Sequence, residues 1–219
     1  MPRFRLPPAG VLTPNNDADP LPFYYKPMVG RIFVARLDTG LALVEGRFQK
    51  LLEIGYGSGL LMPTLAALTD ELYGADLEVE PPGLRGKLSQ LGVTPKQLVQ
   101  ADIQDLPFAD GFFDGVVAFS ILEHLKPHQL ARACREVARV LRPGGRFLVG
   151  CPAVHKAMNA AFAAIGFAGI ENHHFSSLPE VVGAAAPHFT LEKRASLPRL
   201  LDRVPLGWAP YSAVLLRKS

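Results

Sequence analysis

The feature that most constrains this chain is a change of pattern between residues 51 and 59. Leu51-Leu52-Glu53-Ile54 reads as the end of a short buried strand, Lys50–Ile54, and it runs straight into glycines at 55, 57 and 59. Glycine lets the backbone turn sharply and leaves no Cβ to hold a ligand away from the main chain. A helical segment then runs from Ser58 to about Thr69, with Pro63 tolerated near its first turn. The spacing separates two ligand classes. A dinucleotide fingerprint, G-x-G-x-x-G, needs its third glycine at position 60, where this chain has Leu60. Glu53 also sets a negative charge beside the turn, where a phosphate is unwelcome.

Strand and helix signals go on alternating downstream. Glu71–Asp76, Gln97–Ala101, Phe113–Ser120 and Arg146–Gly150 read as strands. Pro82–Leu91 and His128–Leu141 read as helices, the second stopped by Arg142-Pro-Gly-Gly145. This alternation predicts a doubly wound, Rossmann-like α/β fold with a mostly parallel sheet. Phe189–Ala195 and Tyr211–Arg217 lie too close for a crossover helix, so they are expected to pair antiparallel and complete seven strands. Seven of the 20 prolines fall within residues 1–27, so that segment is an arm or strap rather than a regular helix or central strand. Residues 28–48 read as a helix with an apolar stripe at Val29, Phe33, Leu37 and Leu41, weakened by Gly30 and Gly40. The expected organisation is the arm, this helix, a core over 49–152, a substrate cover over 153–187 and a strand pair over 188–219.

Charge narrows the function. The chain carries a net +3, yet residues 51–120 hold three basic and ten acidic side chains. An acidic middle disfavours an anionic ligand and suits one with a positive charge. No run of about 18 uncharged apolar residues is present. The start, MPRFRLPPAG, has no apolar signal region. Cys134 and Cys151 form neither a disulfide framework nor a metal-ligand spacing, so no metal is expected and the expected compartment is the cytoplasm.

With these motifs in order, residues 48–152 resemble the class I S-adenosylmethionine-dependent methyltransferases, of the type 11-like domain. The stretch EIGYGSG at 53–59 resembles the family's cofactor loop. The resemblance implies that Gly55, Tyr56, Gly57 and Gly59 contact the methionine part and that Glu53 lies near its amino group. Tyr56 departs from the small residue commoner there. Gly74-Ala-Asp76-Leu77 resembles the ribose-binding segment, with Leu77 against the adenine. Asp102-Ile103 resembles the segment that reads the adenine edge, and Ser120 falls in the loop at the methionine end. The implied cofactor is S-adenosyl-L-methionine, leaving as S-adenosyl-L-homocysteine. Each acid also has a plainer reading: Glu53 as a strand end, Asp76 as a helix cap, Asp102 as a turn brace.

The implied activity is methyl transfer to a small-molecule or lipid-like acceptor. A cofactor-binding protein without catalysis is the alternative, because fold does not fix function. A nucleic-acid acceptor is disfavoured, since Ser120-Ile-Leu-Glu stands where an Asn/Asp-Pro-Pro-aromatic tetrad would be needed. His124 and His155 are the candidate bases, and a satisfied surface or core histidine is the plainer reading of each. His173-His174 lacks a third ligand at helical or loop spacing. Arg132, Arg135, Arg139 and Arg142 recur along one helix. They read as a solvated face or, more sharply, as a peripheral contact for an anionic membrane together with the apolar 157–170 segment.

Overall fold

A computed structural model describes residues 2–17, 19–78, 80–153 and 174–219. Seven strands form one sheet in the order β3-β2-β1-β4-β5-β7-β6. They are β1 Phe48–Ile54, β2 Thr69–Asp76, β3 Gln97–Gln100, β4 Phe113–Phe119, β5 Leu141–Pro152, β6 Phe189–Leu197 and β7 Tyr211–Lys218. The first five pair parallel, and β7 runs antiparallel between β5 and β6. The expected doubly wound sheet with its antiparallel C-terminal strand is therefore present. Because β1 has β2 on one side and β4 on the other, the chain leaves their carboxyl ends in opposite directions and opens a crevice there.

The side-chain period of two builds a core on each face. Leu51, Val117, Leu148 and Leu215 face one side, with Phe33, Leu37 and Leu41 of α2 (Val29–Leu41), Met62 and Leu65 of α3 (Met62–Ala66), and Leu84 and Leu88 of α4 (Leu84–Gln90). Leu52, Val116, Phe147 and Val149 face the other, with Leu130, Cys134 and Val137 of α5 (Pro127–Val140) and Leu178 and Val181 of α6 (Leu178–Ala185). The glycines that weaken α2 in the sequence are close-approach sites. A Cβ on Gly40 would collide with the Phe119 ring, and one on Gly30 with the carbonyl of Tyr24. Phe119 sits in a slot between Gly40 and Gly150.

Several boundaries move. The helix expected over 58–69 is only Met62–Ala66, because the glycine turn persists to Leu61, Pro63 fixes the first turn and Thr69 already belongs to β2. The 28–48 helix stops at Leu41, and Phe48 opens β1. The Arg142–Gly145 turn is absorbed into β5 as a register shift opposite Phe113/Gly115. The arm contains one helical turn, α1 (Leu21–Tyr24), with Pro22 at its start, where the missing N–H costs nothing. The rest of the arm straps the sheet: Phe4 and Leu12 are buried, and the Phe4 N–H donates to Asp38 Oδ1 at 2.6 Å.

Two expectations about outlying segments also change. The described end of the expected cover holds α6, which packs into the core beside α5, while residues 154–173, with the apolar 157–170 stretch, His155 and His173, lie outside the described residues. The arginine stripe is not one solvated face. Arg139 pairs with Glu136 and Asp110 at 2.6 Å and donates to the carbonyls of Leu106 and Phe108, and Arg142 pairs with Asp114 at 3.5 Å. Arg132 and Arg135 are exposed and take part in none of the ion pairs among the described residues. Among the described residues no helix is long and apolar enough to cross a membrane.

Candidate functional site

The crevice between the carboxyl ends of β1 and β4 holds a cavity of about 300 Å³. Its wall is built from the glycine turn, the ends of β2 and β4, helix α2 and the arm. Gly55 and Gly57 line it, with φ of +74° and +47°. A Cβ on Gly55 would strike Ile121, so glycine is required there for space as well as for dihedral angle. A Cβ on Gly57 would meet no protein atom nearer than Asp19 Oδ2 at 3.6 Å.

Glu53 lines the cavity although it is 5% exposed, and its Oε2 has no hydrogen-bond partner. Burial, and next the neighbouring Asp76 charge, push its carboxyl well above the usual carboxylate range. A carboxyl so placed becomes an anion readily only when a cation arrives. Asp76 also lines the cavity. Its Oδ2 accepts from the Gly57 N–H at 2.7 Å and its Oδ1 from the Glu78 N–H at 2.9 Å. Asp76 therefore braces the glycine turn and is no helix cap, since α4 begins only at Leu84. Each of its oxygens keeps a lone pair for a further donor.

Tyr56 is buried over Gly74, whose added Cβ would lie 2.7 Å from the Tyr56 ring. The large residue in the glycine turn is thus matched by the missing side chain on β2. Burial pushes the Tyr56 hydroxyl up to about 12, and its oxygen has no partner. Ser120 lines the cavity at the end of β4 with φ of +56°, and its N–H donates to the Gly150 carbonyl at 2.8 Å. A non-glycine residue in the left-handed region is costly, and such residues gather at functional sites.

Four expected residues do not line the cavity. Gly59 faces α4, where a Cβ would meet Leu84 at 3.0 Å, so its glycine serves helix packing. Leu77 is 65% exposed and Ile103 is buried in the core of the α5 face. Asp102 is exposed and its carboxylate accepts from the Gln104 N–H at 2.8 Å, which is the turn-bracing role.

Other residues enter from places the motifs do not reach. The arm contributes Asn15, Asn16, Asp19, Pro20 and Tyr24, and α2 contributes Arg36. Asp19 Oδ1 accepts from the Leu21 N–H at 2.8 Å and Oδ2 from the Asn15 N–H at 2.9 Å, which folds the arm over the glycine turn. The proline content marks a strap, but no sequence signal says where a strap lies.

His124, exposed, lines the cavity in the short turn Leu122–His124. The N–H groups of Phe175 and Ser176 donate to the Glu123 carbonyl at 2.7 and 3.1 Å, which brings His174 beside His124 with ring centroids 5.0 Å apart. Possible ligand atoms of Glu123, His124 and His174 lie within 4.8 Å of one another. Spacing along the chain hides this third group from His174, because it comes from fifty residues away. Glu123 is fully buried, and burial pushes its carboxyl up to about 7.

The family described as a methyltransferase domain matches residues 52–149. The fatty-acid O-methyltransferase of Mycolicibacterium smegmatis is 34% identical over 142 residues, 65% of this chain and 47% of that protein. The phosphatidylethanolamine N-methyltransferase of Cereibacter sphaeroides is 34% identical over 110 residues, 49% of this chain and 53% of that protein. The chain thus spans about half the length of these curated relatives. Among solved structures, the N-methyltransferase NodS from Bradyrhizobium japonicum in complex with S-adenosyl-L-homocysteine superposes with a TM-score of 0.65 at 18% identity, covering 93% of this chain and 94% of that one. The PH0226 protein from Pyrococcus horikoshii gives 0.69 at 17% identity, covering 91% and 96%. At those identities the structures establish the fold alone. The family match falls on the strands and turns that build most of the cavity, so residues 52–149 are similar to a methyltransferase domain.

Proposed function

We propose that the protein moves the methyl group of S-adenosyl-L-methionine to a small-molecule or lipid-like acceptor and releases S-adenosyl-L-homocysteine. The observation that carries this reading is the unpartnered, buried Glu53 oxygen beneath the glycine turn. With Asp19, Asp76 and Glu78 also on the wall, the cavity suits a ligand with cationic groups and sugar hydroxyls and repels one with phosphates. In this reading Glu53 takes the ammonium, Gly55, Tyr56 and Gly57 cradle the methionine part, Asp76 accepts from the ribose hydroxyls, and the Ser120 backbone flanks the methionine end. The names of the two curated relatives, for a fatty acid and a phospholipid, support an amphiphilic acceptor for this chain.

When bound, the cofactor supplies a methyl carbon already activated by its sulfonium. The protein's contribution is alignment, which can lower the barrier by roughly 7–11 kcal/mol. Glu53 and Asp76 fix one end of the ligand, and Phe119, Ser120 and Ile121 shape the side where the acceptor enters. His124 lines the same cavity, which supports a role in taking a proton from an acceptor that is protonated at working pH. His155 is proposed for the same role from the sequence alone. The free, buried Cys134 and Cys151 support a reducing, cytoplasmic setting, and Arg132 and Arg135 are what is left for a peripheral membrane contact.

The test is a turnover assay with methyl-labelled S-adenosyl-L-methionine against lipids, small polar metabolites and macromolecules in separate fractions. S-adenosyl-L-homocysteine should form above the acceptor-free rate with the lipid or small-metabolite fraction. Tight binding of the cofactor without turnover on any fraction would instead favour the non-catalytic alternative.

A further inference from the structure

We propose that Glu123, His124 and His174 form a site for a divalent transition-metal ion of the Zn²⁺ class at the wall of the cavity. The site itself does not depend on methyl transfer; what the ion does there rests on that reading. Glu123 and His124 stand in the short turn Leu122–His124 after β4, and His174 comes from the stretch that leads into α6. Their possible ligand atoms all lie within 4.8 Å of one another. His124 is exposed and lines the cavity, while Glu123 and His174 are buried beside it.

The backbone is fixed on both sides of the group. Within the turn, the His124 N–H donates to the Ile121 carbonyl and the Leu125 N–H to the Leu122 carbonyl, both at 3.1 Å. From the other stretch, the Phe175 and Ser176 N–H groups donate to the Glu123 carbonyl, and the buried Ser176 hydroxyl donates to the Leu125 carbonyl at 2.6 Å. His174 is therefore held in place by the two residues that follow it. The imidazoles of His124 and His174 meet edge to face, with an angle of 72° between their planes. Bonds of about 2.0–2.2 Å put the donor atoms around one Zn²⁺ roughly 3.3–3.5 Å apart. The exposed His124 ring is the ligand with room to turn onto an ion.

The donor set selects the ion. Two imidazoles and a carboxylate suit Zn²⁺ and its transition-metal neighbours, whereas Mg²⁺ and Ca²⁺ take oxygen ligands. The side-chain donors beside the Glu123 carboxyl are the Cys151 thiol and the Ser120 hydroxyl, and Arg36 acts on it as a charge. These leave room for an ion, since a carboxylate offers about four lone-pair sites. Asp19, Asp76 and Glu78 on the wall outnumber Arg36 and favour the entry of a cation. Among the described residues no fourth His, Cys, Asp or Glu joins the group, so a coordination position stays open, as in catalytic zinc sites. Under methyl transfer that position takes an acceptor oxygen. A hydroxyl held there gives its proton to solvent more readily; its oxygen bonds the methyl carbon as the carbon–sulfur bond breaks, and the electron pair stays on sulfur. His124 is then a ligand and takes no proton.

The experiment is calorimetric titration of the full chain, stripped with chelator and dialysed, with Zn²⁺, Mg²⁺ and Ca²⁺, and then loading with Co²⁺ read by visible absorption. One Zn²⁺ per chain should bind, Mg²⁺ and Ca²⁺ should not, and Co²⁺ should show the d–d bands of a site with imidazole ligands. His124→Ala and Glu123→Gln should each weaken Zn²⁺ by more than the roughly tenfold to hundredfold that the loss of an outer-shell partner costs. His128→Ala, at an exposed position of α5, should leave the affinity unchanged. Gly57→Val, which should lose the cofactor, should keep the ion. If folded His124→Ala binds Zn²⁺ as the wild type does, or if the wild type binds none, the site is overturned and the three side chains are a hydrogen-bonding group only. Titration with S-adenosyl-L-homocysteine judges the other reading separately. A wild type that binds Zn²⁺ but no S-adenosyl-L-homocysteine sinks methyl transfer and leaves the metal site standing, and the reverse result does the opposite.

Discussion

A carboxyl sealed beneath a glycine turn, with one oxygen unpartnered, holds its proton until a cation reaches it. That is the state of Glu53, raised by burial and by the Asp76 charge. A bound ammonium lowers the group again, so binding should release a proton, and affinity for S-adenosyl-L-homocysteine should rise with pH from the ordinary carboxylate range upward until Glu53 ionises unaided. Calorimetry in two buffers of different ionisation enthalpy measures the release, and Glu53→Gln should abolish it. Asp76→Ala should weaken binding by roughly 1.5–3 kcal/mol in a folded protein, partly through the ribose and partly through the loosened Gly57 N–H. An unchanged dissociation constant would leave Asp76 as a turn brace only. Glu53, Gly55, Tyr56, Gly57, Asp76, Ser120 and His124 line the cavity, and each lies within a few residues of the carboxyl end of a strand that the sequence marks. Gly59, Leu77, Asp102 and Ile103 do not line the cavity, because residue type and spacing do not encode which way a side chain turns. Arg36 and Asp19 were invisible, because only tertiary packing brings them in.

Among the elements, α2 matters most to the site. Its stripe was readable, but its glycines were misleading. Intrinsic propensity counts them against a helix, whereas packing requires them, because Phe119 and the Tyr24 carbonyl occupy the space a side chain would take. Gly40→Val should therefore destabilise the protein by about 1–3 kcal/mol or more, through the displaced Phe119. Urea unfolding checks this, and a stability gain, as helix propensity alone would give, is the opposite outcome. The α3 helix shows the converse case: its pattern suggested twelve residues, and the turn before it and the strand after it left five.

At the scale of the whole molecule, two buried carboxyls are raised, Glu53 on the cavity wall and Glu123 in the short turn after β4. For Glu123 the ordinary value is 4.5 and the folded value about 7. The unfolded chain loses this proton first as pH rises, so the group's contribution is fully present below 4.5 and is lost through about 7. The loss amounts to at most about 3 kcal/mol. Relative to wild type, Glu123→Gln should gain stability between pH 4.5 and 8, measured by denaturant unfolding across that range. A constant difference would mean that Glu123 titrates normally. The architecture itself was legible, down to the antiparallel pair, because strand-helix alternation and short connections leave few topologies.

The crevice between β1 and β4 should take an adenosyl ligand that carries an ammonium group and should take no dinucleotide. The most direct measurement is titration of the purified protein with S-adenosyl-L-homocysteine and, separately, with NAD. Saturable one-to-one binding of the first is expected, lost in Gly57→Val, whose side chain would project into space left open by the protein. NAD should show no saturation. Tight NAD binding with no response to S-adenosyl-L-homocysteine would contradict it.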